Sequence, residues 1–286
     1  MRVLCVSVLV LLASGWNFPV QAFKFEFVRT SSIALDNPRD LQLSPDNRFL
    51  FVSDGDNDRI VILDPKSLEL IGHFGADWLD GPYGLDVDAA GRLYVADSHN
   101  NRIVVYDVAQ GQGRVVRKVS GGLAEPKGVC AHSNGAVYAA GSWSGNVVGF
   151  RDGVAVGKVR GLGTPFDLEQ APSGDIWVSD RSKNSIILMS ADLKVQREIK
   201  GGGGLLVAPH FIDLMDGGDL VVSDKFRHQI KIISTGGKLL ATIGTGRPGD
   251  APGEFRMPEG VEISGESLWI ADSGNDRIVH YRLIKD

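Results

Sequence analysis

Apolar and polar residues alternate along most of this chain in short runs broken by glycine, aspartate or asparagine, the period-2 pattern of half-buried strands. The run between residues 82 and 119 is typical. Gly84-Leu85-Asp86-Val87 alternates, Ala89-Ala90-Gly91 turns, and Arg92-Leu93-Tyr94-Val95-Ala96 alternates again. The polar stretch Asp97-Ser98-His99-Asn100-Asn101 then leads into a β-branched strand over 102–106 and an outer strand over 115–119. This predicts four antiparallel strands joined by tight hairpin turns.

The same unit recurs. A proline followed by an apolar alternation stands at Pro38, Pro82, Pro126, Pro165, Pro209 and Pro258, at intervals of 44, 44, 39, 44 and 49 residues. A second marker, Asp54, Asp97, Gly141, Asp180, Asp224 and Asp272, repeats at 43, 44, 39, 44 and 48. Two markers on one beat predict six units, with starts near 38, 82, 126, 165, 209 and 258. Four strands per unit of this length define a β-propeller among repeat architectures. The fold class expected is therefore all-β, a six-bladed propeller of four-stranded antiparallel blades over residues 23–286. The last unit has only three strands of its own, near 261–263, 267–270 and 277–283. Phe23-Lys24-Phe25-Glu26-Phe27-Val28 alternates and belongs to no unit. Placed as the fourth strand of the last blade, it would close the ring and remove two raw sheet edges.

Composition changes the picture in three places. The 36 glycines and 12 prolines are spread along the chain as turn residues, not gathered in a linker. The formal charge of −5 argues against a sequence-independent grip on nucleic acid, which needs basic surface. The first 22 residues are a different material. Arg2 precedes an uncharged apolar run over 3–13, and Val20-Gln21-Ala22 supplies small residues, the pattern of a cleavable signal peptide. The run is shorter than the roughly 20 residues of a membrane span, so no stable transmembrane segment is expected after cleavage, and the protein would be secreted or periplasmic. Cleavage removes one arginine and no acid, taking −5 to −6, and leaves Cys130 alone, expected as a small core residue.

The loops after the second strands carry a family resemblance. Asp54-Gly55-Asp56-Asn57-Asp58-Arg59-Ile60, Asp97-Ser98-His99-Asn100-Asn101-Arg102-Ile103 and Asp272-Ser273-Gly274-Asn275-Asp276-Arg277-Ile278 resemble NHL repeats. Gly244-Thr245-Gly246-Arg247-Pro248-Gly249, running on to Gly253-Glu254-Phe255 and Pro258-Glu259-Gly260, does so too. Looser copies begin at Asp180 and Asp224, and the third, from Gly141, is degenerate. A carboxylate recurring in five of six units reads as a brace for a tight turn, accepting backbone amides.

Strand parity locates candidate chemistry. The start of each inner strand and the loop after the second strand share one face, so the residues after the prolines should ring the mouth of the central channel. They are Arg39, Tyr83, Lys127, Phe166, His210 and Glu259. Unlike the marker aspartates they differ from blade to blade, as a polar pocket with aromatic walls requires. One layer deeper stand Gln42, Asp86, Cys130, Glu169, Asp213 and Glu262. Crowded together, the carboxylates Asp86, Glu169, Asp213 and Glu262 would raise one another's pKa values or recruit a cation, calcium in preference to zinc. The alternative is that they pair with neighbouring blades.

The propeller also bears a distant resemblance to the peptidyl-α-hydroxyglycine amidating lyase family, in which three histidines in the post-proline slots hold zinc. Here only Pro209-His210 keeps a histidine, while Pro38-Arg39-Asp40 and Pro165-Phe166-Asp167 keep an adjacent aspartate. One imidazole makes a poor zinc site, and His73, His99, His132, His228 and His280 fall at other positions in the blades. Three functions stay open. The first is capture of a small molecule or partner protein at the mouth. The second is a lyase or hydrolase with His210 or Glu259 as general base and Arg39 or Lys127 stabilising negative charge, Tyr83 beside them. The third is a structural subunit.

Overall fold

The computed structural model describes residues 23–109 and 111–284; the signal peptide expected over 1–22 lies outside the described residues. Six four-stranded antiparallel sheets form the ring. In blade 1 the strands Pro38–Leu43, Leu50–Asp54, Arg59–Leu63 and Leu70–Phe74 run outward in sequence order. The inner strands of blades 2 to 5, Pro82–Val87, Pro126–Ala131, Pro165–Gln170 and Pro209–Leu214, likewise begin at the repeating proline. The first residue of a strand is where proline's missing N–H costs no ladder bond.

Blade 6 departs from this rule. Its inner strand is Val261–Ser264, three residues past Pro258. The preceding backbone is shared between two blades: Gly260 N–H donates to the Arg39 carbonyl of blade 1, while Glu259 N–H donates to Ala271 of its own blade. The ladder proper therefore starts only at Val261.

The N-terminal strand Lys24–Thr30 pairs antiparallel with Arg277–Ile284 and completes blade 6, with Phe25 opposite Leu283 and Phe27 opposite Tyr281. Phe25 is buried in the largest core cluster, and Phe27 meets the edge of Tyr281 at 5.8 Å between ring centres. The alternation seen in the sequence supplies these inward aromatics.

The marker aspartates are braces. Asp54, Asp97 and Asp272 are fully buried. Each accepts a backbone N–H from the loop before its own inner strand (Asp36, Asp80 and Arg256, at 2.7–2.8 Å). Each also pairs with the arginine five residues on, Arg59, Arg102 or Arg277, at 2.6–2.8 Å. Four residues after the marker, Asp58, Asn101, Asn184, His228 and Asp276 all take a left-handed conformation, φ 52–55°. Their side chains accept the amide that precedes the next blade's proline: Gly81, Glu125, Ala208, Met257 and, across the closure, Asn37, at 2.7–3.0 Å. Asparagine and aspartate tolerate this backbone and supply the acceptor in one residue. In blade 3 Gly145 takes the position without a clasp, in line with its degenerate loop.

Among the described residues, no helix is long and apolar enough to cross a membrane.

Candidate functional site

The six post-proline residues do converge, and Tyr83 stands at their centre. It meets one residue from every other blade. Its hydroxyl donates to Glu259 Oε2 of blade 6 at 2.8 Å and accepts from Arg39 Nη1 of blade 1 at 3.5 Å. Lys127 Nζ of blade 3 lies 4.1 Å from the ring centre. Phe166 of blade 4 packs edge-on at 5.4 Å, and Phe211 of blade 5 stacks at 6.1 Å. A side chain touching all five other blades occupies the axis. The inner strands can come this close because the residue after each ring member is small where a neighbour presses in: a Cβ on Gly84 would collide with the Lys127 carbonyl, and one on Gly260 would lie 2.6 Å from Asp40 Cα.

This corrects the expectation of an open channel. Tyr83, Phe166 and Phe211 are buried and plug the pore. His210 and Glu259, expected at the entrance, are both 0 % exposed beneath its surface. Glu259 accepts from Arg39 Nη1 at 3.0 Å, from Lys225 Nζ at 2.5 Å and from Tyr83. Burial alone would raise its pKa, but Lys225, His210 and Arg39 hold it below the ordinary carboxylate value. The carboxylate is thus charged and fully engaged. His210 Nδ1 sits 2.8 Å from the Ala208 carbonyl, which can only accept, so the proton is on Nδ1 and Nε2 is a bare, unpartnered lone pair. Burial pushes its pKa down to about 4, keeping the ring neutral at pH 7. It lies 4.3 Å from Phe166 and 5.8 Å from the half-exposed Phe226, ring centre to ring centre.

Beside the plug an open cleft of about 520 Å³ is bounded by blades 1 to 4. Arg39, Lys127 and Arg181 face it together with Asp56, Tyr83 and Phe166. Trp143, 79 % exposed, forms part of its rim. Lys127 donates to Ser98 Oγ at 3.0 Å and approaches Glu125 only to 3.7 Å. Its ammonium is held below its usual pKa by burial, with Arg39 and Arg181 adding to the effect against Glu125 and Glu259. Arg39 is steadied by Asp56 at 3.0 Å as well as by Glu259.

The proline rule alone missed Lys225, Arg181, Asp56 and Trp143. They come from the loops after the second strands, which parity places on the same face. The slot after the marker reads Gly55, Ser98, Ser142, Arg181, Lys225 and Ser273, and that variation was a signal available in the sequence.

The deeper ring is a different structure. Asp86 accepts from Ala131 N–H of blade 3 at 2.6 Å, Asp213 from Ile263 N–H of blade 6 at 2.5 Å, and Glu262 from Leu43 N–H of blade 1 at 3.2 Å. Asp40 and Asp167 do the same for Leu85 and Ile212. Burial first, then mutual repulsion, raises Glu169 and Glu262 well above the ordinary range, and burial lifts Asp86 and Asp213 to about 7. The void among them is about 10 Å³, room for a single water. Among the described residues no group of three or more His, Cys, Asp or Glu is arranged to hold a metal ion. Asp86, Asp213 and Glu262 thus latch blade to blade, as the pairing alternative expects. Cys130, in the same ring, is buried and free, its thiol raised by burial and by Asp86 and Glu169.

Fold and site together define a six-bladed β-propeller with a stoppered axis and a charged cleft at one end. Residues 79–106, the heart of blade 2, match the NHL repeat, so this propeller carries an NHL repeat in that blade. No curated protein matches it by sequence. The fold is shared with a streptogramin B lyase (15 % identity, TM-score 0.68, covering 94 % of this chain and 100 % of that one). It is also shared with a catalytically inactive virginiamycin B lyase from Staphylococcus aureus in complex with quinupristin (16 %, 0.64, covering 86 % and 80 %). A protein of unknown function from Bacteroides thetaiotaomicron superposes with TM-score 0.72 at 13 % identity, covering 89 % and 71 %.

Proposed function

We propose that this chain is an exported ligand-binding propeller that captures its ligand in the cleft beside Tyr83. One observation carries the binding role: side chains from two sets of loops meet around a single recess, and those after the prolines differ in every blade, whereas the marker aspartate repeats in five of six. Export rests on the leader pattern of residues 1–22. A fragment screen by ligand-observed NMR tests the first part. Hits should lose binding in Trp143→Ala and in Lys127→Ala but not in Val156→Ala on the exposed outer strand of blade 3. Hits indifferent to both cleft changes would sink it. N-terminal sequencing of protein recovered outside the cytoplasm should begin near Phe23; an intact Met1 there would sink the second.

A second reading, a propeller lyase, is favoured by the two lyases that share the fold. It stands behind because both proposed bases are sealed: Glu259 is neutralised by two cations, and His210 is buried with its pKa near 4. Turnover of a cleft ligand, abolished by Glu259→Gln with binding retained, would reverse the order.

A further inference from the structure

We propose that the ligand of this cleft is an organic acid whose oxyanion is held between Arg181 and Lys127 while its flat, unsaturated body lies against the aromatic wall. This deepens the mouth-capture reading and rests on it. Most charges at the entrance already have partners. Asp56 and Glu259 are committed to Arg39, and Glu259 also to Lys225. Asp80, on the outer side, pairs with His99 at 2.7 Å. Glu125 stands 3.7 Å from Lys127, beyond hydrogen-bond reach. Arg181 has no carboxylate within ion-pair distance among the described residues. Its guanidinium carbon lies 5.7 Å from the Phe166 ring centre, an interaction that leaves its donors free.

Two incompletely matched cations face one recess, in a protein whose overall charge is negative. Arg39 and Arg181 already disfavour the charge on Lys127. An anion arriving there relieves that repulsion, and a carboxylate or phosphate presents two oxygens to the fork of an arginine. A cationic ligand would add to the repulsion. A neutral one would leave the charges as they are. The same recess is lined by aromatic side chains, the buried Tyr83 and Phe166 and, at its rim, Trp143, whose ring is 79 % exposed and open to a guest. An acid joined to a planar group uses both features; inorganic phosphate would use one.

Calorimetric titration with four probes separates these possibilities: benzoate, phenyl phosphate, benzamide and inorganic phosphate. Benzoate or phenyl phosphate should bind at least about 10-fold more tightly than benzamide. That advantage should shrink with added salt and should vanish in Arg181→Gln and Lys127→Gln. The aryl acids should also outbind inorganic phosphate, and Trp143→Ala should erase that second margin. Benzamide binding as well as benzoate, with both probes lost in Trp143→Ala, would overturn the acid assignment and leave mouth capture standing. Acid binding unaffected by any of the three substitutions would overturn both. No binding by either aryl acid would also overturn the acid assignment, the fragment screen then deciding for the cleft on its own. Melting curves of the variants guard against misfolding, since all three side chains face the cleft and not the core.

Discussion

The same inner strands build two rings three residues apart, and the two have opposite chemistry. In the upper ring the side chains of Arg39, Tyr83, Lys127 and Glu259 are engaged mainly with one another and with the cleft. In the lower ring Asp86, Asp213 and Glu262 are engaged with backbone amides of the next blade. A side chain that satisfies a neighbour's backbone cannot change partner without loosening the ring. A side chain tied to other side chains around a recess can be rearranged by a guest. The lower ring serves assembly, and the upper ring is where the proposed recognition would have room to vary.

That contrast can be broken or sharpened by four changes. The largest effect should come from ring closure itself, which both rings need. Deleting residues 23–32 exposes Phe25, Tyr281 and Leu283 and leaves two unpaired strand edges. With buried aromatic and aliphatic side chains contributing about 1.5–3 kcal/mol each, and about 2–4 °C per kcal/mol for a domain of this size, the melting temperature should fall by about 10 °C or more. An unchanged melt would mean that the ring holds without its borrowed strand. Next, Asp167→Ala strands the buried Ile212 amide between blades 4 and 5. An orphaned buried donor costs about 1–3 kcal/mol, so thermal denaturation should shift down by several degrees. A silent substitution would dissolve the idea of a latch.

A subtler effect concerns pH. The folded pKa of Asp213 is raised to about 7, above its unfolded value near 4. Below pH 4 the group is protonated in both states. As pH climbs from 4 to 7 the unfolded chain releases this proton first, so this group's contribution to stability is progressively lost across that window. Asp213→Asn keeps an acceptor for Ile263 but cannot ionise. Urea midpoints measured from pH 4.5 to 8 should fall less steeply in the variant than in the parent; parallel profiles would count against the raised pKa. The smallest effect belongs to the upper rim. Trp143→Ala should move the melting temperature by no more than about 1–2 °C, since exposed substitutions stay within about 0.5 kcal/mol. A large loss there would assign the tryptophan to the scaffold.

Much of this architecture was legible in the chain. Six prolines on a beat near 44 residues marked the blades, and the orphan alternation from Phe23 to Val28 marked the closing strand, because packing on one face imposes period 2. Parity brought Arg39, Tyr83, Lys127, Phe166, His210 and Glu259 to one end. Depth was not legible. Whether a ring residue faces solvent depends on what lies over it, and the cover comes from other loops: Lys225 reaches Glu259, and Phe226 packs on His210. Nor does a repeat pattern show that one ring residue is long enough to reach the axis. The strand after Pro258 starts late, at Val261 as its alternation over 261–263 indicates, since Gly260 gives its amide to a different blade.

Tyr83 makes the molecule a cup and not a tube. A guest of the proposed cleft would enter and depart over one rim, so a tightly held molecule would have to leave before its successor could settle. Nothing added at the far end can push it out or queue behind it. Exchange in such a vessel would be one at a time, and any compound resembling the departing guest would compete with the next arrival.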